Sequence, residues 1–205
     1  MEIIWLGHAC FCLEEEGYRL LLDPYTKVPG YPPLRVQANN LLCSHDHYDH
    51  SHIGGAILLP PQQSPFDIRT VATFHDAAQG AQRGGNTIHV ISAGGVTVAH
   101  LGDLGHALTA EQLADIGPCD AVLLPVGGTY TIDADGAFAV ARAIGARVVI
   151  PMHYRHGAYG LREVAEAEDF LSRFPAEQVT RCKSDSLTLL PGDGKSGVFL
   201  LRYPA

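Results

Sequence analysis

The sequence predicts a layered α/β fold in which mixed β-sheets carry helices on their outer faces. Two patterns point to it, and a cluster of possible ligands accompanies them. The N-terminal half alternates apolar and polar residues and closes into hairpins, whereas the C-terminal half switches to strands separated by helical segments. Histidines and aspartates collect where these strands end, most densely in "LLCSHDHYDHSH" from Leu41 to His52.

Taken in order, "EIIWLG" and "ACFCLEEEGYRLLLD" read as strands, with a turn at "EEEGY" joining Phe11 to Leu22 in a hairpin that stops at Asp23 and Pro24. Residues 24–40 are rich in Pro and Gly with no apolar period, the mark of a surface loop. "NLLCS" reads as a buried strand, "HSHIGGAI" as a short helix and "IRTVATF" as a further strand. The loop "HDAAQGAQRGGN" leads into a second hairpin, "TIHVISAGGVTVAHLGD", which turns at its Ala-Gly-Gly centre and ends on Asp103. Beyond it, "LTAEQLADIG" has the Thr cap and closing Gly of a helix, followed by "DAVLLPVGG" as a strand and "DADGAFAVARAIG" as a helix. "ARVVIPMH" is a strand that runs into His153, "LREVAEAEDFLSRF" an amphipathic helix, and two short strands flank "PGDGKSG".

Length and a hydrophobic content of 46% suit one domain over residues 1–205 with a sizeable core. A net charge of -8 with no basic stripe excludes stable nucleic-acid binding. No apolar run reaches membrane-spanning length, and Glu2 stands where a secretory signal carries basic residues, so the cytoplasm is the expected location. The five cysteines, Cys10, Cys12, Cys43, Cys119 and Cys182, form no CxxC pair and read as reduced and mostly buried.

The dense cluster carries the chemistry. His45 and His47, two residues apart after a strand, have the spacing to reach one metal together, and Asp49 and His50 just beyond turn toward a second. A lone histidine is more often a hydrogen-bonded or surface side chain than a ligand, but a group this dense reverses those odds. Imidazole suits zinc, iron and manganese alike, and the carboxylate adds a hard oxygen. Neither a GxSxG elbow nor a dinucleotide-binding glycine fingerprint occurs.

These residues resemble a family. "SHDHYDH" is similar to the HxHxDH signature of the metallo-β-lactamase-fold hydrolases, and "GHACF" around His8 resembles the opening of their small zinc-dependent members, the ascorbate-phosphate-lactonase-like branch among them. Asp23 in "LLLDP", His75 in "FHD", Asp103 in "HLGDLGH" and His153 in "PMHY" resemble the remaining motifs, in the family's order. The resemblance implies a four-layer αββα sandwich of two mixed sheets flanked by helices. It further implies one divalent ion held by His45, His47 and His75 and another by Asp49, His50 and His153, with Asp103 between them and Asp23 behind. Asp49 and Asp103 are the carboxylates to which catalysis is assigned. Zinc is the first expectation, with manganese and iron as alternatives, and the implied activity is hydrolysis of an ester, lactone, amide or phosphoester of a small molecule.

Two other readings compete. Oxygen-reducing relatives hold a di-iron redox site on this fold, usually beside a flavin-binding domain and with a carboxylate replacing the second histidine of the loop, where this chain has His47. A non-catalytic metal-binding module ranks last, because all seven ligand positions are filled. Around the motifs, His8 and His106 are placed to support a ligand or a substrate, although structural roles rank slightly ahead. Arg83, in the Gly-rich "AQRGGN", reads equally as a clamp for an anionic group or a solvated loop residue. Tyr130 and Tyr154 read first as packed aromatics and second as residues of the pocket mouth. His52, His89, His100 and His156 match no ligand position, and Gly102 reads as a tight turn or a point of close backbone approach beside Asp103.

Overall fold

The computed structural model describes residues 1–203. Its first strands are β1 (Glu2–Gly7), β2 (Cys10–Glu15), β3 (Tyr18–Leu22), β4 (Val36–Ala38), β5 (Asn40–Leu42), β6 (Ala56–Leu58) and β7 (Asp67–Phe74). They are followed by β8 (Gly85–Ala93), β9 (Val96–His100), β10 (Ala121–Pro125), β11 (Val148–Met152), β12 (Val179–Arg181), β13 (Ser186–Thr188) and β14 (Gly197–Leu200). A five-stranded sheet has the order β13-β1-β2-β3-β5 and a seven-stranded sheet the order β12-β14-β11-β10-β9-β8-β7, while β4 and β6 form a separate ribbon. Both large sheets are mixed: antiparallel through β1-β2-β3 and β7-β8-β9, parallel at β3-β5 and from β9 through β10, β11 and β14 to β12. The expected register of the first hairpin is present, with Phe11 opposite Leu22, and the second turns at Gly94 and Gly95 between the paired Ala93 and Val96.

Strand alternation sets the layers. Ile3, Trp5, Phe11, Leu13, Leu20 and Leu22 share one buried core with Ile88, Val90, Val98, Leu123 and Ile150 of the other sheet. Each such side chain, once removed from water, contributes about 1.5–3 kcal/mol before the entropy of ordering is subtracted. The opposite face of the five-stranded sheet, at Cys10 and Leu21, is covered by Tyr25, Val28, Tyr31, Leu34 and Ala38. On that side the outer layer is thus the proline-rich segment after β3. The helices α1 (Ala110–Ile116), α2 (Ala134–Ile144) and α3 (Ala167–Leu171) belong to the seven-stranded side, with α1 against β7, α2 against β10 and α3 against α2.

Local chemistry explains the helix ends. Thr109 and Gln112 form a reciprocal capping box at the start of α1, and Gly117 stops it. Asp133 caps α2 at the Gly136 amide, and Gly145 ends it in the left-handed conformation.

Three local expectations are corrected. The helix expected at "HSHIGGAI" is a single 3-10 turn over Ile53–Gly55 followed by β6, because two adjacent glycines disfavour helix and Ala56–Leu58 finds a ladder partner in β4. The amphipathic segment from Leu161 to Phe174 is helical only over Ala167–Leu171. Its first half is committed elsewhere: the Ala165 amide donates to the Gly127 carbonyl, Arg155 donates its amide back to Ala165, and Arg155 pairs with Glu166. The loop after β3 also contains β4, and β12 was not foreseen.

Among the described residues no helix is long and apolar enough to cross a membrane. The loops after β5, β7, β9 and β11 converge, and these four loops carry the candidate ligands.

Candidate metal centre

Each implied ligand follows a strand. His45, His47, Asp49 and His50 lie in the loop after β5, His75 immediately after β7, Asp103 after β9 and His153 immediately after β11. A rigid sheet edge thereby fixes side chains that are far apart in sequence. His45, His47 and His75 form one group whose ligand atoms lie within 4.8 Å of one another, and His8, Asp49, His50 and His153 form a second. Asp103 joins them: its Oδ2 is 3.3 Å from His75 Nε2 of the first group and 3.2 Å from both His50 Nε2 and His153 Nε2 of the second.

Behind these groups a buried hydrogen-bond network orients the imidazoles. Asp23, fully buried, accepts from the Ser44 amide at Oδ1 (2.7 Å), and at Oδ2 from the Ser44 hydroxyl (2.6 Å) and His50 Nδ1 (2.9 Å). Because Ser44 spends its proton on Asp23, its oxygen accepts from His45 Nδ1 at 2.9 Å. Both imidazoles are therefore held with the proton on Nδ1, and Nε2 of each presents its lone pair to the cluster. His45 Nε2, His50 Nε2 and Asp103 Oδ1 are buried and have no hydrogen-bond partner. His50 Nε2 has the Asp103 carboxylate 3.2 Å away and can hold a proton there, but His45 Nε2 and Asp103 Oδ1 have nothing; electron-pair donors left unsatisfied inside a protein are costly, and a cation is the partner that suits both. The donor set fits divalent metal on this ground.

Electrostatics agree with the network. Burial pushes the His45 pKa down to about 3, aided by the neighbouring His50, so the imidazole is neutral as a ligand must be. His8 is pushed down to about 4 by burial and by His153. Burial also opposes charge on His50, but Asp103 and Asp23 outweigh it and hold that pKa well above the ordinary histidine value. Without a metal, a proton on His50 takes the cation's place. Burial disfavours the Asp103 carboxylate, yet His153 and His50 keep it ionised, well below the usual carboxylate range.

The backbone is bent to serve this geometry. His8, Asp23 and His153 all adopt positive φ, at 53°, 45° and 53°, a conformation that costs a non-glycine residue about 1–3 kcal/mol and clusters at functional sites. The His153 amide donates to the His8 carbonyl at 3.2 Å, fastening two of these residues to each other. Gly102 is the close-approach point anticipated from sequence: a Cβ there collides with Ser44 and with Asn86 Oδ1.

The remaining sequence candidates divide. His8, 1% exposed, lies inside the cluster with Nε2 3.3 Å from Asp49 Oδ2 and its ring 4.2 Å from that of His153. Arg83 and Tyr130 line the cavity above the ligands. Tyr154 does not: it is buried and stacks on Trp5 at 5.5 Å. His106 is also outside the cavity, where its Nε2 accepts from the Phe74 amide at 3.1 Å and its Nδ1 donates to the Ala107 carbonyl at 2.8 Å. Sequence reasoning missed Ser44 and three further supports. Asn86 Oδ1 holds the Asp103 amide at 2.9 Å. His100 donates to the Ala9 carbonyl and accepts from the Gly102 amide, linking the His8 turn to the Asp103 turn. Asp76 accepts four backbone amides, those of Ala78, Gly80, Gln82 and Arg83, and so closes the loop after His75.

The ligands open onto a cavity of about 650 Å³, with His47, Asp49, His75, Asp103 and His153 in its wall. The family model described as "Beta-lactamase superfamily domain" matches residues 2–153. A protein named "UPF0173 metal-dependent hydrolase" from Carboxydothermus hydrogenoformans is 29% identical over 82% of this chain and 91% of its own length. One of the same name from Pyrobaculum islandicum is 30% identical over 94% and 98% respectively. A crystal structure from Thermotoga maritima, assigned to the zinc-dependent hydrolases of the metallo-β-lactamase superfamily, superposes with a TM-score of 0.77 at 35% identity, covering 98% of this chain and 97% of that one. Igni18, a metallo hydrolase from Ignicoccus hospitalis, shares the fold at a TM-score of 0.67 and 18% identity, covering 100% of this chain and 96% of its own.

Proposed function

The chain belongs to the β-lactamase superfamily, and on that premise we propose that it is a metal-dependent hydrolase whose clustered donors hold two divalent ions, zinc first, in the wall of the cavity. The observation that carries the reading is the position of Asp103 Oδ2, within 3.3 Å of imidazoles from both groups, while His45 directs a bare Nε2 lone pair into the cluster. Two like charges held close together need a shared anion, and Asp103 is placed to be one. When bound, such ions polarise a carbonyl or phosphoryl oxygen and lower the pKa of a water, which supplies the nucleophile.

The chain's own residues do the rest. Asp23 and Ser44 fix the tautomers of His50 and His45, and Asn86 holds the backbone of Asp103. Asp49 lines the cavity, and although burial opposes its charge, His8 and His50 keep it ionised as an acceptor beside the reacting group. A cavity of about 650 Å³ suits a small-molecule ester, lactone, amide or phosphoester. The net charge of -8 argues for such substrates over nucleic acid.

Metal-restored protein is to be screened against esters, lactones, amides and phosphodiesters. His47→Ala and Asp103→Ala are expected to lose bound metal and turnover together; turnover unchanged in either variant contradicts the proposal.

A further inference from the structure

We propose that the cavity selects substrates bearing an anionic oxyacid group, held by Arg83 and Arg162 at the mouth while the scissile bond lies over the ligand cluster. This rests on the hydrolase reading above and names its substrate class.

Both arginines line the cavity that the ligands open into. Arg19, Arg147, Arg155, Arg173 and Arg181 each have a carboxylate at ion-pair distance; among the described residues Arg83 and Arg162 have none, as is also true of Arg35, Arg69, Arg142 and Arg202, but only Arg83 and Arg162 of these line the cavity. The nearest candidate partner of Arg83 in sequence is already committed, because both oxygens of Asp76 accept backbone amides, including that of Arg83 at 2.7 Å. Three acids share the cavity wall with them, Glu163, Asp49 and Asp103, and among the described residues the ion pairs of Asp49 and Asp103 are all with histidines.

The Arg83 half of the site is also built in advance. Asp76 fastens the backbone that carries Arg83, and the guanidinium stands 5.6 Å over the Tyr130 ring with Nη2 3.5 Å from the Thr129 carbonyl. Thr129, at a positive φ of 62°, donates its hydroxyl to the Glu163 carbonyl at 2.7 Å. That bond ties the loop beneath Arg83 to the segment carrying Arg162. Two guanidinium groups on tethered backbone, with most of their donors unspent, match the geometry of a carboxylate or phosphate. Arg83 is already restrained by its contacts with Tyr130 and Thr129 and loses little ordering entropy on binding, whereas the exposed Arg162 side chain is ordered by the anion it meets.

The test compares two activated esters of equal length on zinc-loaded protein, each corrected for its enzyme-free rate: mono(4-nitrophenyl) adipate, which ends in a carboxylate too remote to attack its own ester rapidly, and 4-nitrophenyl 6-oxoheptanoate, which ends in a methyl ketone. The wild type is expected to favour the adipate in kcat/KM by about tenfold, equivalent to about 1.4 kcal/mol. Arg83→Gln combined with Arg162→Gln is expected to bring that ratio to about one through KM, with metal content unchanged. Arg142→Gln, remote from the cavity, keeps the wild-type ratio. Equal use of the two esters by the wild type, or a preference that survives the double substitution, overturns the anion site and leaves the hydrolase reading intact.

Loss of the hydrolase reading has a different signature, in that zinc-loaded protein cleaves no substrate class at all. Calorimetry then tests the anion site alone. Succinate or inorganic phosphate is expected to bind at least about tenfold more tightly to wild type than to the double variant, with succinamide bound by neither. The tighter of the two anions identifies the oxyacid, and affinities unmoved by the double substitution overturn the proposal.

Discussion

Replacing Asp23 by Asn tests the tautomer argument while keeping the side chain's shape. The carboxylate, fully buried, accepts at both oxygens: the Ser44 amide at one, the Ser44 hydroxyl and His50 Nδ1 at the other. An amide has a single acceptor oxygen. Turned toward His50 it sets its NH₂ against the Ser44 N–H, and turned the other way it sets NH₂ against the imidazole N–H, so every orientation buries one donor against another. A buried unsatisfied donor costs about 1–3 kcal/mol, and the loss of charge assistance weakens the bonds that survive. Because His50 is then free to exchange tautomers or rotate, zinc affinity is expected to fall by about 10–100-fold, first at the site proposed for Asp49, His50 and His153. Competition against a chromophoric chelator measures this, with circular dichroism verifying the fold. Affinity within about twofold of wild type in a folded Asp23→Asn protein, a change of about 0.4 kcal/mol, refutes the role given to Asp23.

Gly102→Ala adds a Cβ against Ser44 and Asn86 at a backbone φ of 55°, and urea denaturation is expected to show a loss of about 1–3 kcal/mol together with weakened metal binding. Asp76→Ala leaves four backbone amides without their acceptor; protease cleavage within residues 76–84 is expected to accelerate, and unchanged cleavage speaks against the loop's dependence on that carboxylate. Stability of metal-stripped protein should pass through a maximum with pH. His8 and His45, depressed to about 4 and about 3, bind protons only in the unfolded state once pH drops below about 6.5, so stability falls on acidification. His50 has the opposite sign: its raised pKa gives stability that is fully present below about 6.5 and lost as pH rises through the folded value. Denaturant midpoints across this range check both limbs, and a stability that keeps increasing with acid contradicts them.

Much of the site was legible because its densest part is local. His45, His47, Asp49 and His50 announce themselves within six residues, and His75, Asp103 and His153 each follow a strand whose apolar pattern is plain. Ser44, Asn86, Asp76 and His100 were not legible. Each has a common structural identity in sequence and acquires its role only through partners that folding brings near, as Asn86 does with Asp103 and His100 with Ala9. The layered sheets followed from alternation and hairpin chemistry, whereas β4, β6 and β12, of three residues each, are too short to show a period. Helical spacing over Leu161–Phe174 misled because hydrogen bonds to Gly127 and Arg155 outcompete the helix at its start.

The most direct measurement is the number of metal ions per chain, by elemental analysis of protein purified without a chelating tag and saturated with zinc, in wild type and Asp103→Ala. Two ions in the wild type, with affinity for both weakened in the variant, is the result expected of a carboxylate shared between the His45–His47–His75 and Asp49–His50–His153 groups. A single ion in the wild type, or two that bind Asp103→Ala undiminished, contradicts it.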